Sequence, residues 1–396
     1  MFIKCNNIYL PDTKFSGFIQ IENGVFKNIF YKLEENQDYL DYSDYIIIPG
    51  FIDLHIHGYG RGSFAYKGDI QAIKFMSEDV VKMGVTSYLL TSGTMPKNFL
   101  ENSYSQAKTA INKFKKGVGA EPLGIHMEGP FINEKNLGMQ RSDSVETPSI
   151  SKFDFYNKIS GNNIKLVTLA PEIPGAKELI KHLNKNGIAI SAGHTSATFD
   201  EIKEAISLGL GNFTHTYSGM RGFHHRELGV VGAAMYFQNT YAEVAKQTGI
   251  TIKPEAFDIL YRLKGDDKLI LTTDCLGFGG FPEGYSFYHY LRKQKFSIEN
   301  NKLKIENDNG KNEYINLNTF EDIKDLELGF LDSVKNVIKR LNHHWSSVIK
   351  IASENPAKFI GVFDKKGSIE VGKDADFLVL DKTGNLQATF CYGLKQ

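Results

Sequence analysis

Cysteine is scarce: Cys5, Cys275 and Cys391 are the only three in 396 residues. Thiols so few and so scattered make neither a disulfide framework nor a Cys-rich zinc module. Excess charge of one sign is missing too, since 46 Lys and Arg balance 46 Asp and Glu. A balanced chain has no polyelectrolyte footprint, so neither nucleic acid nor an anionic membrane is an expected partner. No apolar run approaches the roughly 18 residues of a membrane span. The start, MFIKCNNIYLPD, lacks the apolar stretch and small-residue cleavage site of a secretion signal. A cytoplasmic protein is therefore expected. There is no Gly-x-x-x-x-Gly-Lys phosphate loop, no internal repeat and no long low-complexity tract.

What the chain has is glycine and apolar bulk: 37 Gly, 12% aromatic and 41% hydrophobic residues. That composition buries a large core and excludes disorder. The length suits two or three domains, or one large barrel with an appendage. Residues 2–5, 17–21 and 25–29 read as strands, with Glu22-Asn23-Gly24 as a hairpin turn. Near the other end, residues 367–371 and 375–380 read likewise. The two ends are expected to meet, 1–49 with 357–396, as one small β-sandwich domain.

Between them, residues 50–356 alternate strand-like and helix-like segments. Expected strands fall at 51–57, 85–91, 123–128, 164–170, 188–194, 212–215 and 269–274. Expected helices include 69–82, 97–115, 176–186, 198–208 and 254–263. Repeated βα units of this extent predict an α/β fold, and a (β/α)8 TIM-type barrel suits them better than an open sheet. Residues 282–320 break the rhythm with a polar hairpin (295–305) and an exposed loop (307–312). Helical patterning resumes at 330–342 and 345–354.

His55 and His57 sit two apart on an expected strand, so their side chains share a face. Alone, such a pair says little. However, Glu128, His194, His215 and Asp274 all fall at or just beyond the C-terminal ends of other expected strands. In a barrel those ends open onto one face, where active sites are built. Several imidazoles with carboxylates suit a hydrolytic site for Zn or Fe, one or two ions per subunit, without cysteine. Gly58, Gly60, Gly62, Gly129 and Gly193 flank these residues, where loops turn sharply or backbone approaches a ligand. By contrast, His126 reads as structural and turned away from Glu128's neighbours. Cys275 reads as core, and His343-His344-Trp345 as surface or packing.

Longer motifs then narrow the reading. Pro49-Gly50-Phe51-Ile52-Asp53-Leu54-His55-Ile56-His57-Gly58 resembles the first strand of the amidohydrolase superfamily. Gly124-Ile125-His126-Met127-Glu128-Gly129-Pro130-Phe131, Leu169-Ala170-Pro171-Glu172, Ser191-Ala192-Gly193-His194-Thr195, Thr214-His215 and Thr272-Thr273-Asp274 follow in order. With Asn355-Pro356-Ala357 and Gly372-Lys373-Asp374-Ala375-Asp376, the set resembles the N-acetylglucosamine-6-phosphate deacetylase family over nearly the whole chain.

That resemblance implies a metal-dependent barrel with a small β domain from both termini, agreeing with the pattern reading. It implies that Glu128, His194 and His215 are the principal metal ligands and that His55 and His57 are the superfamily's paired histidines. Asp274 matches the catalytic carboxylate, and Arg226 an arginine that binds the sugar phosphate. A homodimer is the implied assembly and an amino-sugar phosphate the implied substrate. Hydrolysis of its acetamide is the implied reaction, with Asp274 as base and then acid.

The chain departs from the family where substrate is contacted. Gln140 stands in place of the usual histidine, and Ser218, beside Gly219, in place of an amide. Thr251 replaces a phosphate-contacting histidine that relatives can draw from the neighbouring subunit. Each lost charge-assisted contact weakens binding by about 1.5–3 kcal/mol unless replaced. Arg221, Lys246 and Lys253 are nearby cations, which read first as ordinary solvated residues. These departures keep two alternatives open: a deacylase of another N-acyl sugar or amine, and a metal-bearing sugar-binding protein without turnover.

Overall fold

The computed structural model describes residues 1–245, 252–289, 294–307, 310–342 and 344–396. Six strands lie side by side, all parallel: β1 (Phe51–Ile56), β2 (Val85–Ser92), β3 (Glu121–Glu128), β4 (Ile164–Leu169), β5 (Ala189–Ala192) and β6 (Asn212–Phe213). Two more, β7 (Ala242–Ala245) and β8 (Leu269–Thr272), pair parallel with each other. β7 lies against β6, and β8 against β1. Every residue of β1 and β2 is buried, the near-continuous apolar pattern of parallel strands covered on both faces.

Parallel neighbours require crossovers, and helices supply them. They include Ile70–Val80, Lys97–Asn112, Ala176–Lys185, Phe199–Leu208 and Pro254–Lys264. The start of Phe199–Leu208 shows the local cause. The Thr198 hydroxyl accepts the Glu201 amide while the Glu201 carboxylate accepts the Thr198 amide, satisfying two otherwise orphaned donors. Ile202 and Ala205 then bury the inner face.

Among the elements between β3 and β8 that lay outside the sequence reading are two helices and β7. Gly229–Tyr236 is apolar on almost every side and largely buried, so it shows no amphipathic period. Ile150–Ile159 buries only Phe153 and Tyr156. β7, Ala-Glu-Val-Ala, is four buried residues long and carries a carboxylate, so it gives neither an apolar run nor an alternation.

The two chain ends share a sheet, in the order Leu394–Lys395, Leu386–Cys391, Phe377–Leu380, Ile46–Pro49, Phe2–Tyr9, Lys14–Glu22 and Val25–Phe30. Hydrogen bonding makes this one continuous sheet, where a sandwich would have two. It folds over a core that includes Ile3, Ile19, Phe26, Ile47, Phe377 and Phe390. The expected strand at 367–371 is absent. Gly367 and Gly372 adopt left-handed backbone (φ 88° and 93°) and break the extension, while Ile369 alone dips into the core. Lys366 ties this sheet to the start of β3: its buried ammonium lies 2.8 Å from Glu121, 2.7 Å from Asp376 and 3.1 Å from Asp374.

Past β8, strands Ser286–His289, Gln294–Glu299, Lys302–Glu306 and Glu313–Asn316 form an antiparallel meander. The hairpin expected there to be polar is half apolar. Phe296, Ile298, Leu303 and Ile305 alternate onto one buried face with Phe278 and Phe281. No helix among the described residues is long and apolar enough to cross a membrane.

Candidate metal centre

Strand ends supply the site. His55 lies in β1 and His57 just beyond it; Glu128 is the last residue of β3; His194, His215 and Asp274 each follow β5, β6 or β8 by two positions. These three adopt left-handed backbone at φ 47°, 33° and 51°, a conformation that costs a non-glycine residue on the order of 1–3 kcal/mol. Gly193 makes the exit from β5 feasible, because a Cβ there would sit 2.6 Å from the Thr168 methyl.

The structure brings all six side chains together. His194 Nε2 and His215 Nε2 each lie 3.1 Å from Glu128 Oε1, and 3.1 Å from each other. On the other side, His57 Nε2 is 3.1 Å from Glu128 Oε2 and 3.4 Å from Asp274 Oδ1. His55 Nε2 bridges the halves, 3.4 Å from Glu128 Oε1 and 3.5 Å from Asp274 Oδ1. Two donor sets result: His55, His57 and Asp274; and Glu128, His194 and His215. All are buried except Asp274, whose side chain is 30% exposed.

This donor chemistry fits a divalent cation. His57 donates its Nδ1 hydrogen to the Thr91 carbonyl (3.2 Å) and His194 to the Asn136 carbonyl (2.7 Å). His55 donates likewise to the Glu243 carboxylate at 3.2 Å. With that hydrogen committed, each ring in its neutral form would have its Nε2 lone pair toward the centre, as a metal ligand does. His55 Nε2 and His215 Nδ1 are buried without a hydrogen-bond partner among the described residues. Acceptors converging on acceptors repel unless positive charge lies between them.

The electrostatics agree. Burial alone would lower the His57 pKa, yet hydrogen bonds to Asp274 and Glu128 and their charges push it up to about 9. Burial likewise opposes charge on His55, but Glu128 and Asp274 hold its pKa well above the ordinary value. The same attraction works in reverse on the carboxyls. Burial would raise Glu128 and Asp274, but the surrounding imidazoles hold both well below the usual carboxylate range.

His126 is a correction. Residues two apart on a strand share a face, so its ring lies edge-on to His55 at 4.7 Å rather than turning away. It is nevertheless no candidate ligand. Its nitrogens are engaged by the Leu54 carbonyl and the Thr168 hydroxyl, and burial, with the neighbouring His55, pushes its pKa well below the ordinary value. Cys275 is buried, its thiol donating to the Leu328 carbonyl.

The remaining candidates spread outward. Gln140 touches the centre directly, its Nε2 donating to Glu128 Oε2 at 2.7 Å while its Oε1 accepts the Thr94 amide at 2.6 Å. Gly219, in left-handed backbone, lies close against the His194 ring. Ser218 and Arg226 are exposed, and no ion pair holds the Arg226 guanidinium among the described residues. Thr251 and Lys246 lie outside the described residues. Beside the centre a cavity opens between His57, Gln140, Tyr66, Tyr285, Arg141 and Met95.

One group at the centre escaped the sequence reading. Glu243, on β7, is fully buried and bonds both His55 and the His215 amide. A lone carboxylate within Tyr241-Ala242-Glu243-Val244-Ala245 was the available signal, since a charge in an apolar segment is rarely buried without a task.

Residues 46–395 match the Amidohydrolase family model. An N-acetylglucosamine-6-phosphate deacetylase of Bacillus subtilis is 32% identical over 357 residues, covering 89% of this chain and 84% of that protein. An N-acetylgalactosamine-6-phosphate deacetylase of Escherichia coli O157:H7 is 25% identical over 88% of this chain and 87% of its own length. The crystal structure of N-acetylglucosamine-6-phosphate deacetylase from Pasteurella multocida superposes with a TM-score of 0.83 at 25% identity, covering 100% of both chains. The chain belongs to the amidohydrolase family and, within it, to the N-acetylglucosamine-6-phosphate deacetylases.

Proposed function

We propose that this protein hydrolyses the acetamide of N-acetylglucosamine 6-phosphate to glucosamine 6-phosphate and acetate. One observation carries the reading: the Asp274 carboxylate stands beside a converged set of imidazole and carboxylate groups. In this reading Glu128, His194 and His215 hold one divalent cation, zinc or iron, and His55 and His57 with Asp274 offer a place for a second. Such a cation supplies Lewis acidity, which brings the pKa of a coordinated water from about 15.7 towards about 7.

The chain's own groups do the rest. The Asp274 carboxylate takes the proton from the attacking water and delivers it to the departing sugar nitrogen, base first and acid second. Gln140 is braced by the Thr94 amide and spends one N–H on Glu128, so its second N–H serves the acyl carbonyl as negative charge develops there. Ser218 and Gly219 line the sugar side, and the exposed Arg226 takes the phosphate. Thr251 is assigned to the same end from its place in the motif.

The proposed frame is a closed (β/α)8 barrel at 50–356, with residues 1–49 and 357–396 as its small domain. Contacts of β7 with β6 and of β8 with β1 support closure. A cytoplasmic homodimer completes the reading.

Acetate release from N-acetylglucosamine 6-phosphate, its galactosamine epimer and both unphosphorylated sugars, with cation content measured in parallel, is the test. Preference for the phosphorylated glucosamine substrate is expected. Equal efficiency with and without phosphate would sink the phosphate-specific part, and no release despite bound cation would leave a binding protein.

A further inference from the structure

Both donor sets at the centre lean on the same buried atom. Glu243 Oε2 lies 3.2 Å from His55 Nδ1 and accepts the backbone N–H of His215 at 3.1 Å. Its other oxygen accepts Asn212 Nδ2 at 2.7 Å. Glu243 itself is fully buried at 0% exposure. A carboxylate so placed, with no Lys or Arg beside it among the described residues, is costly unless its donors are fixed.

The three donors come from two strands that are not neighbours of one another. His55 is on β1, while Asn212 begins β6 and His215 follows it. Glu243, on β7, reaches both. The Asn212 amide continues the chain of bonds to the Ser191 hydroxyl at 3.1 Å, and that hydroxyl lies 2.5 Å from the Thr214 hydroxyl. A polar belt thus runs beneath the centre, with Glu243 as the member that touches the metal-binding histidines.

We propose that Glu243 is a positioning residue: it fixes His55 with its hydrogen on Nδ1 and its Nε2 lone pair toward the cation, and it sets the distance between the two donor sets. The physical reason is the tautomer. A neutral imidazole has one N–H, and a carboxylate can only accept, so His55 must present that N–H to Glu243. Its Nε2, which has no hydrogen-bond partner among the described residues, is then left as a pure donor of electrons to a cation. An amide in place of the carboxylate can turn its NH2 toward Nδ1, which moves the ring hydrogen to Nε2 and points N–H at the cation.

This inference rests on the cation-binding reading of the site but not on the identity of the substrate. The test is titration of the cation-free protein with Co2+ against a chromogenic chelator, together with the visible absorption of the Co2+-loaded form. Glu243→Gln is expected to weaken Co2+ binding about ten- to a hundredfold and to alter the absorption bands, while the cation-free protein keeps its circular dichroism. Because Glu243 acts largely through His55, adding Glu243→Gln to His55→Ala should weaken binding much less than it does in the parent. If Glu243→Gln cannot be purified folded, Glu243→Asp, which withdraws the carboxylate by one methylene, is titrated in its place with the same expected direction. Parent-like affinity and absorption in the folded variant, or full additivity with His55→Ala, would overturn the assignment. Loss of Co2+ affinity without any acetate release from the parent would overturn the substrate reading alone.

Discussion

β3 carries a carboxylate at each end, Glu121 half-buried and Glu128 buried, and the two live differently. At its start Glu121 joins Asp374 and Asp376 around Lys366, whose ammonium lies within 3.1 Å of all three. There the chain supplies its own cation. At the far end Glu128 faces four imidazoles and receives the Gln140 amide, but no Lys or Arg side chain among the described residues pairs with it. Three residues of that cluster sit in left-handed backbone, and two of its ring nitrogens have no hydrogen-bond partner among the described residues. The closed cluster is built to hold a sheet in place. The open one is built to receive charge from outside, and strained backbone persists where the surrounding structure enforces it for function. This division matches the general rule that the C-terminal ends of parallel barrel strands carry chemistry and the opposite ends stability.

The comparison breaks first at Asp274. Asp274→Asn removes the proposed proton acceptor, and kcat for acetate release should fall about 10²–10⁴-fold, with folding intact by circular dichroism. Wild-type turnover would mean that the open cluster does not use this carboxylate. Next comes Lys366→Met. Stranding Asp374, Asp376 and Glu121 without their cation should cost about 3–5 kcal/mol of stability, read from urea denaturation. Turnover by the folded variant should be unchanged, and a selective loss of turnover would blur the two ends.

Lys264 sharpens the contrast, because it is a buried cation that has carbonyl and hydroxyl partners in place of carboxylates. Its ammonium donates to Phe237 O at 2.6 Å and Thr240 Oγ1 at 3.2 Å. Burial, with Lys268 nearby, pulls its pKa down to about 8, whereas an unfolded lysine titrates near about 10.4. Between those values the unfolded chain binds more protons, so stability should rise with pH, by on the order of 2 kcal/mol. Denaturation midpoints across that range, parent against Lys264→Met, measure it, and a parallel rise in both would remove Lys264 as the cause. The smallest effect expected is at Gln140. Gln140→His replaces a neutral donor by one able to carry charge, a gain of about 1.4 kcal/mol or tenfold in kcat; a slower variant would show that bracing Glu128 is the more important service.

Much of the centre was legible before any coordinates. His55, His57, Glu128, His194, His215 and Asp274 fall at or just past the C-terminal ends of strands expected from the sequence pattern, so that pattern and the residue types pointed to one place. Glu243 was missed, because β7 is too short to announce itself and the lone carboxylate among its apolar neighbours was the one cue. Gly229–Tyr236 hid for the opposite reason: a helix buried on nearly all sides has no period to detect. At 367–371 the alternation was real but two left-handed glycines overruled it. At 295–305 the charged residues drew attention away from Phe296, Ile298, Leu303 and Ile305, which alternate beneath them.

By itself, the order of residues determined the alternation of strands and helices, the family and the chemical types of the side chains at the centre. These follow from local periodicity and from motifs contiguous in the chain. Only the tertiary structure decided that Gln140 braces Glu128, that His126 lies against His55, and that Glu243 spans both donor sets. Those are contacts between side chains far apart along the chain, set by strand register and burial, which no local pattern encodes.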